Sequence, residues 1–231
     1  MNILAFDTCF GAVSAAVRWQ NAGGEWLRRE AYEARTAGHA ERLFPMIAEV
    51  MEGAGLAFSS IDRIAVTLGP GTFTGVRVGI AAARAFALTT GQPVVGTTSL
   101  AVMAHRADLL IGHERAGRPL TVAVDARRGM VYFQVFPSHA IGTDDAQLTT
   151  PEQAARVIGR QPVLVVGSGA AAVVAAAEGK AEARLPDLQP HARSLAIMAP
   201  ELVPVGRVTP IYLRQPDAKP QADKALPRMP P

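Results

Sequence analysis

Apolar and polar positions change period several times along the chain, and the changes mark its elements. Residues 2–6 (Asn-Ile-Leu-Ala-Phe) are an almost unbroken apolar run, as a buried strand requires. Residues 11–20 alternate loosely and read as a second strand. Asn21-Ala22-Gly23-Gly24 is a turn cluster, and 25–34 reads as a third strand. Three strands joined by short turns predict an antiparallel meander. A helix is expected next, from an N-cap at Thr36 to about Glu52. Leu43, Phe44, Ile47, Val50 and Met51 fall on one stripe, with Glu41, Glu49 and Glu52 mostly off it. Pro45 lies inside this helix and lacks the N–H that would reach Glu41, so a kink or a later start is expected there. The pattern then predicts a strand at 63–68, a helix at 74–88, a short strand at 93–96 and a helix at 99–110. The polar, glycine-rich stretch 112–119 reads as a lobe boundary, after which strand patterns resume.

The order of elements repeats. Ile3-Leu-Ala-Phe-Asp7 leads through Gly11 to Val13, and Thr121-Val-Ala-Val-Asp125 leads through Gly129 to Val131, so both halves carry D-x-x-x-G-x-V. Downstream, the strand ending in Gly69-Pro-Gly71 is echoed by the strand ending in Gly167-Ser-Gly169. Two similar α/β lobes facing each other across a cleft are therefore expected. A strand-end Asp with a tight glycine turn behind it is one way to present a carboxylate and backbone N–H groups to a metal-bound phosphate.

The stretch from Gly69 to Gly79 allows two readings. It matches neither common phosphate fingerprint: no Lys follows the glycines, and the spacing from Gly69 is G-x-G-x-x-x-G with Pro70 inside. Backbone N–H groups at a helix start still attract anions. Against that, Gly75 and Gly79 are four apart on one face with Ala82, which favours close packing by another helix. Asp7 and Asp125 could hold Mg²⁺ through water, or each could cap its own hairpin turn. The five histidines show no metal-ligand spacing. Cys9 beside Asp7, with His39 as base, could be imagined as a nucleophile; a buried thiol is the favoured reading.

Bulk properties narrow the classes. A length of 231 residues suits one large domain or two modest lobes. No run of 18 apolar residues occurs, so no membrane span is expected. The start Met-Asn-Ile-Leu reads as a strand rather than a signal peptide. A single cysteine forbids an intrachain disulfide and fits the cytoplasm. The formal charge of +3 is spread over scattered arginines, with Arg28-Arg29 and Arg127-Arg128 the clearest pairs, so nucleic-acid contact is permitted without a basic stripe.

The segments 3–17, 39–47, 69–87, 97–104, 124–132 and 210–214 resemble the TsaB (YeaZ) family in its order along nearly the whole chain. The specific ones are Gly-Pro-Gly-Thr-Phe-Thr-Gly-Val-Arg-Val-Gly (69–79) and Asp-Ala-Arg-Arg-Gly-Met-Val-Tyr (125–132). Cys9 and Thr72 stand where Ser is common, and Met130 where Glu is usual. The resemblance implies the actin-like ATPase fold: two RNase H-like lobes, here 1–111 and 112–214, with the last helix able to pack back on the first lobe. Residues 215–231, Pro-rich, lie outside it and are expected to be a disordered tail. It also implies a non-catalytic subunit that dimerises with a TsaD-type transferase, assembles with a TsaE-type ATPase, and supports threonylcarbamoyladenosine formation in tRNA. The run 98–103 lacks the histidine pair that holds the metal in TsaD-type enzymes, and no metal site is expected. Candidate interface residues are Leu43, Phe44, Ile47, Met51, Gly75, Val78, Gly79 and Ala82, used for the transferase or, in isolation, for a homodimer. Asp7, Thr8, Gly69, Gly71, Asp125, Gly167 and Gly169 are candidates for a vestigial nucleotide site taking weak or interfacial ATP or ADP with Mg²⁺. Arg127 and Arg128 are candidate tRNA contacts. The alternatives are a nucleotide-binding hydrolase, a glycoprotease-like enzyme, or direct tRNA binding by the arginines.

Overall fold

A computed structural model describes residues 1–137 and 145–214. The first half runs β1 (Asn2–Asp7), β2 (Ala12–Gln20), β3 (Trp26–Ala34), α1 (His39–Ala54), β4 (Arg63–Thr67), α2 (Phe73–Thr90), β5 (Val94–Thr97) and α3 (Ser99–Arg115). The second runs β6 (Leu120–Asp125), β7 (Val131–Phe136), β8 (Gln147–Thr149), α4 (Pro151–Ile158), β9 (Val163–Val166), α5 (Ala170–Ala176), β10 (Ala181–Arg184) and α6 (Ala192–Met198). Each half builds a five-stranded sheet, ordered β3-β2-β1-β4-β5 and β8-β7-β6-β9-β10. In both, the hairpin strands pair antiparallel and the last two strands add in parallel. The duplication read from the D-x-x-x-G-x-V pattern is thus a duplication of topology, and the architecture is a duplicated α/β plan of two mixed five-stranded sheets.

The parallel strands need helical crossovers, and these set the layers. One core packs α1 and α2 on the outer face of the first sheet, with Leu4, Phe6, Val13, Leu43, Ile47 and Ile80 inside it. A smaller core covers the outer face of the second sheet with α4 and α5. Between the sheets lies the largest core, where α3 and α6 fill the gap. The two central helices are crossed over: α3 packs on β6, β7 and β9 of the second sheet, while α6 packs on β1, β2 and β4 of the first. Arg18 and Arg63 hold α6 there. Arg18 Nη1 donates to the carbonyls of Ala196 and Ile197. Arg63 Nη1 donates to those of Ala199, Pro200 and Leu202 at 2.7, 3.2 and 3.1 Å.

Some expectations are corrected. The cap of α1 is Gly38, at φ 73, not Thr36; its left-handed conformation suits a glycine and offers no side-chain acceptor. The helix starts at His39 and runs through Pro45, which is exposed, as is Glu41, whose carbonyl loses its donor. The stretch 112–119 is not all linker, because α3 continues to Arg115. That side chain is buried and bonded to Asp108 and to the Phe136 and Pro137 carbonyls. The expected tail at 215–231 lies outside the described residues.

Candidate functional site: the interlobe cleft and the outer helices

β1, the central strand of the first sheet, ends on Asp7. The carboxylate is not presented there; it is 1% exposed. The Thr67 hydroxyl donates to its Oδ2 and the Cys9 N–H to its Oδ1 at 3.3 Å, which is a local Asx turn. Burial raises its pKa from 3.8 to about 6, against the lowering effect of the Thr67 and Cys9 hydrogen bonds. Cys9 is sealed beside it, and burial together with the Asp7 charge pushes the thiol well above its ordinary range. His39, the imagined base, bonds the Phe10 carbonyl at 2.8 Å instead. The nucleophile reading has no geometry to support it.

The glycines have found their partners inside this chain. A Cβ on Gly75 would collide with the Thr8 carbonyl, and one on Gly79 would lie 2.9 Å from Thr8 Oγ1. Thr8 Oγ1 itself donates to the Gly75 carbonyl at 2.7 Å. So α2 approaches the end of β1, and Gly75 and Gly79 do not form a free docking surface. Leu43, Ile47, Met51 and Ala82 are likewise buried in the chain's own core. Their stripe faces the first sheet, which needs an apolar cover more than a partner does. Of the expected interface set only Phe44, 50% exposed, and the half-buried Val78 reach the surface.

The outward face of α2 is different. Thr74, Val78, Ala81, Ala85 and Leu88 recur at spacings of four and three, and all but Val78 are exposed, Leu88 at 87%. Phe44 of α1 leans against this ridge through Phe86, at 5.7 Å between ring centroids, and Phe58 stacks on Phe86 at 5.6 Å. Arg77 and Arg84, two turns apart, hold the C-terminal segment along the helix: Arg84 Nε bonds the Val208 carbonyl at 3.0 Å and Arg77 Nε the Tyr212 hydroxyl at 2.8 Å.

That segment closes a cleft of about 560 Å³ between the two sheets. Its walls are Phe10, Pro70-Gly71-Thr72-Phe73, Asp125-Ala126-Arg127, Tyr132 and Ile211-Tyr212-Leu213-Arg214. Of the expected nucleotide set, Gly71 and Asp125 line it, and Asp7, Thr8, Gly69, Gly167 and Gly169 do not. The glycine turns are spent on their own lobes: Thr72 N–H donates to the Cys9 carbonyl at 2.7 Å, and Gly169 N–H to the Ala123 carbonyl at 2.9 Å. Asp125 is exposed, but its Oδ1 accepts from Arg127 N–H at 2.7 Å, the second Asx turn. Each acidic residue therefore caps its own hairpin turn, and of the two Asp125 lines the cleft. Among the described residues no three His, Cys, Asp or Glu side chains form a group able to hold a metal. Arg127 and Arg128 sit at the exposed β6–β7 turn with left-handed φ of 62 and 55. Tyr212 and Arg214 lie in the 210–214 segment that carried part of the resemblance, where nothing in the pattern assigned them a role. Phe10, Phe73 and Tyr132, scattered along the chain, converge only through the fold.

The family profile described as TsaD: tRNA N6-adenosine threonylcarbamoyltransferase matches residues 33–188. The tRNA threonylcarbamoyladenosine biosynthesis protein TsaB of Haemophilus influenzae is 32% identical over 183 residues, 74% of each chain. An uncharacterized protein of Mycobacterium tuberculosis is 33% identical over 224 residues, 95% of each. The solved structure of YeaZ from Pseudomonas aeruginosa superposes with a TM-score of 0.77 at 30% identity, covering 92% of this chain and 99% of that one. With its duplicated sheets and these relatives along most of its length, the chain belongs to the TsaB (YeaZ) family.

Proposed function

We propose that the chain acts in tRNA threonylcarbamoyladenosine biosynthesis, in the cytoplasm, as a non-catalytic subunit that pairs with a TsaD-type transferase through α1 and α2. The observation that carries this reading is the outer face of α2. An 18-residue helix exposes a ridge of small and apolar residues ending in Leu88, flanked by Phe44 and Phe58. Small residues let a second helix approach closely, and apolar side chains gain by leaving water, at about 25 cal/mol per Å². A helix bundle with the transferase suits it, and a homodimer through the same ridge suits the isolated chain. The TsaE-type ATPase and the tRNA join through that complex. The sealed Asp7 supports the non-catalytic role, since its carboxylate cannot reach a substrate in the cleft. The test is Ala85→Arg. It leaves the fold intact, because Ala85 is exposed, and abolishes co-purification with the transferase together with tRNA modification by the reconstituted complex. Full modification in the absence of this chain would sink the reading.

A second reading is favoured by the cleft. Its aromatic walls and the guanidinium groups of Arg127 and Arg214 fit the ring and phosphates of an adenine nucleotide. They offer Mg²⁺ little, because Asp125 is the single carboxylate among the cleft-lining residues and no group of three His, Cys, Asp or Glu side chains forms among the described residues. Calorimetry with ATP is expected to show weak binding that is indifferent to Mg²⁺ and lost in Arg214→Ala. Tight, Mg²⁺-dependent binding lost in Asp7→Ala would revive the hydrolase reading.

A further inference from the structure

On the face of β2 and β3 turned toward α6, cations outnumber anions. Arg18 and Arg28 stand directly opposite each other in the β2–β3 register, where like charges repel. Arg193 of α6 and Arg106 of α3 join them. Glu30 is shared, with Arg28 Nε at 3.3 Å and Arg193 Nη1 at 3.8 Å. Asp108, two residues from Arg106, is occupied by Arg115 at 2.5 Å. Among the described residues, four guanidinium groups thus answer to one carboxylate. Tyr32 interleaves them. It is 39% exposed, lies flat on His191 with centroids 5.2 Å apart, and has the Arg106 guanidinium 5.1 Å from its ring.

Two buried nitrogens in the same cluster, Arg193 Nε and His105 Nδ1, have no hydrogen-bond partner among the described residues. Burial lowers the pKa of His105, with Asp108 opposing and Arg193 adding to it, and burial lowers that of His191 with Arg106 and Arg193 both adding. Buried polar atoms without partners are uncommon, and clustered guanidiniums repel one another unless an anion lies between them. A phosphate supplies several acceptor oxygens for charge-assisted bonds of this kind. Arg28, Glu30 and Tyr32 point to one side of β3, and Arg28 and Tyr32 are about 13 Å apart along it at ~3.3 Å per residue. The stripe is long enough for more than one phosphate.

We propose that this face binds the sugar–phosphate backbone of RNA, with Arg28, Arg106 and Arg193 as phosphate ligands and the Tyr32–His191 stack as a surface for an unpaired base. An acidic protein segment would use the charges but not the interleaved aromatic ring, which is the mark of single-stranded RNA sites. That the RNA is tRNA rests on the function proposed above; the phosphate chemistry rests on the cluster alone.

The test titrates the full chain with an unmodified tRNA transcript between 50 and 250 mM KCl. Arg106→Gln/Arg193→Gln should lower the slope of log K against log salt by about 1.4, at roughly 0.7 for each single-strand phosphate left without its arginine, and weaken binding at 50 mM KCl at least tenfold. Arg160→Gln, an exposed arginine next to the second sheet, should change neither. Arg106 also holds the Gln189 carbonyl at 2.8 Å, so the double variant could loosen the fold. Arg28→Gln, which holds no backbone group, must then lower the slope by about 0.7 in a chain with unchanged melting. An unchanged slope in both variants overturns the proposal, as does wild-type chain that does not bind tRNA at 50 mM KCl. Retained tRNA binding with loss of the transferase would also overturn it, in favour of an acidic protein partner. The two readings fail separately, because Ala85→Arg is expected to lose the transferase and keep the wild-type salt slope.

Discussion

Asp7 and His191 show what the fold does to single residues. Burial raises the Asp7 pKa from 3.8 to about 6, so between those values the folded chain binds the proton more tightly than the unfolded one. Its contribution is full below pH 4 and is lost as pH rises through 6. His191 runs the other way: burial, then Arg106 and Arg193, lower it from 6.5 to about 4. Its contribution is present above pH 6.5 and lost as pH falls through 4. At 1.36 kcal/mol per pKa unit each effect is of order 2–3 kcal/mol, less for the partly exposed His191. The two nearly cancel, and wild-type stability should vary little from pH 4 to 6.5. Asp7→Asn is expected to expose the His191 slope, with stability rising with pH, and to raise the melting temperature at pH 7 by roughly 4–8 °C for ~2 kcal/mol. Thermal melts across pH check this, and equal slopes for the two proteins would remove Asp7 from the account. That Asp7 ends a strand beside a glycine turn was legible from D-x-x-x-G alone. Its burial was not, because it depends on Thr67, sixty residues away.

At the scale of elements, periodicity gave the faces but not their neighbours. The α1 stripe through Leu43, Ile47 and Met51 is real, and it meets the chain's own sheet. In α2, apolar almost all round, the glycine face and the ridge through Ala81 and Ala85 are equally plausible as a surface until β1 is seen against Gly75. The structure takes the glycine face out of the free surface and leaves the ridge exposed. Gly79→Leu, which looks like an interface variant in the sequence, should prevent folding, because its side chain must enter the space of Thr8 Oγ1 and Val66. The readout is soluble yield and far-UV circular dichroism. A well-folded Gly79→Leu chain that had merely lost its partner would contradict the packing described.

For the whole molecule, the repeat announced two like lobes, and the sheets obey it strand by strand. Of the exchange of α3 and α6 between sheets, the packing of α6 back on the first lobe was implied by the resemblance; that α3 crosses to the second sheet was not legible, since hydrophobic spacing does not record which distant surface a helix will cover. Arg63 is where this exchange can be tested. Its guanidinium meets three carbonyls at the end of α6 and the 3₁₀ turn Ala199–Glu201. Arg63→Ala should cost about 2–3 kcal/mol and raise amide exchange in α6 before the outer helices, as loss of bonds to a charged donor predicts. Uniform exchange across the chain would place the effect elsewhere. The exchange also gives the protein a birth order. When the first sheet leaves the ribosome, the inner face bearing Ile3, Ala5, Ala16 and Ala65 has no lid, because the helix that covers it is encoded near the far end. At about 5–20 residues per second, that face waits on the order of 5–20 seconds for α6. Nascent chains stalled between the two halves should be the form that chaperones hold.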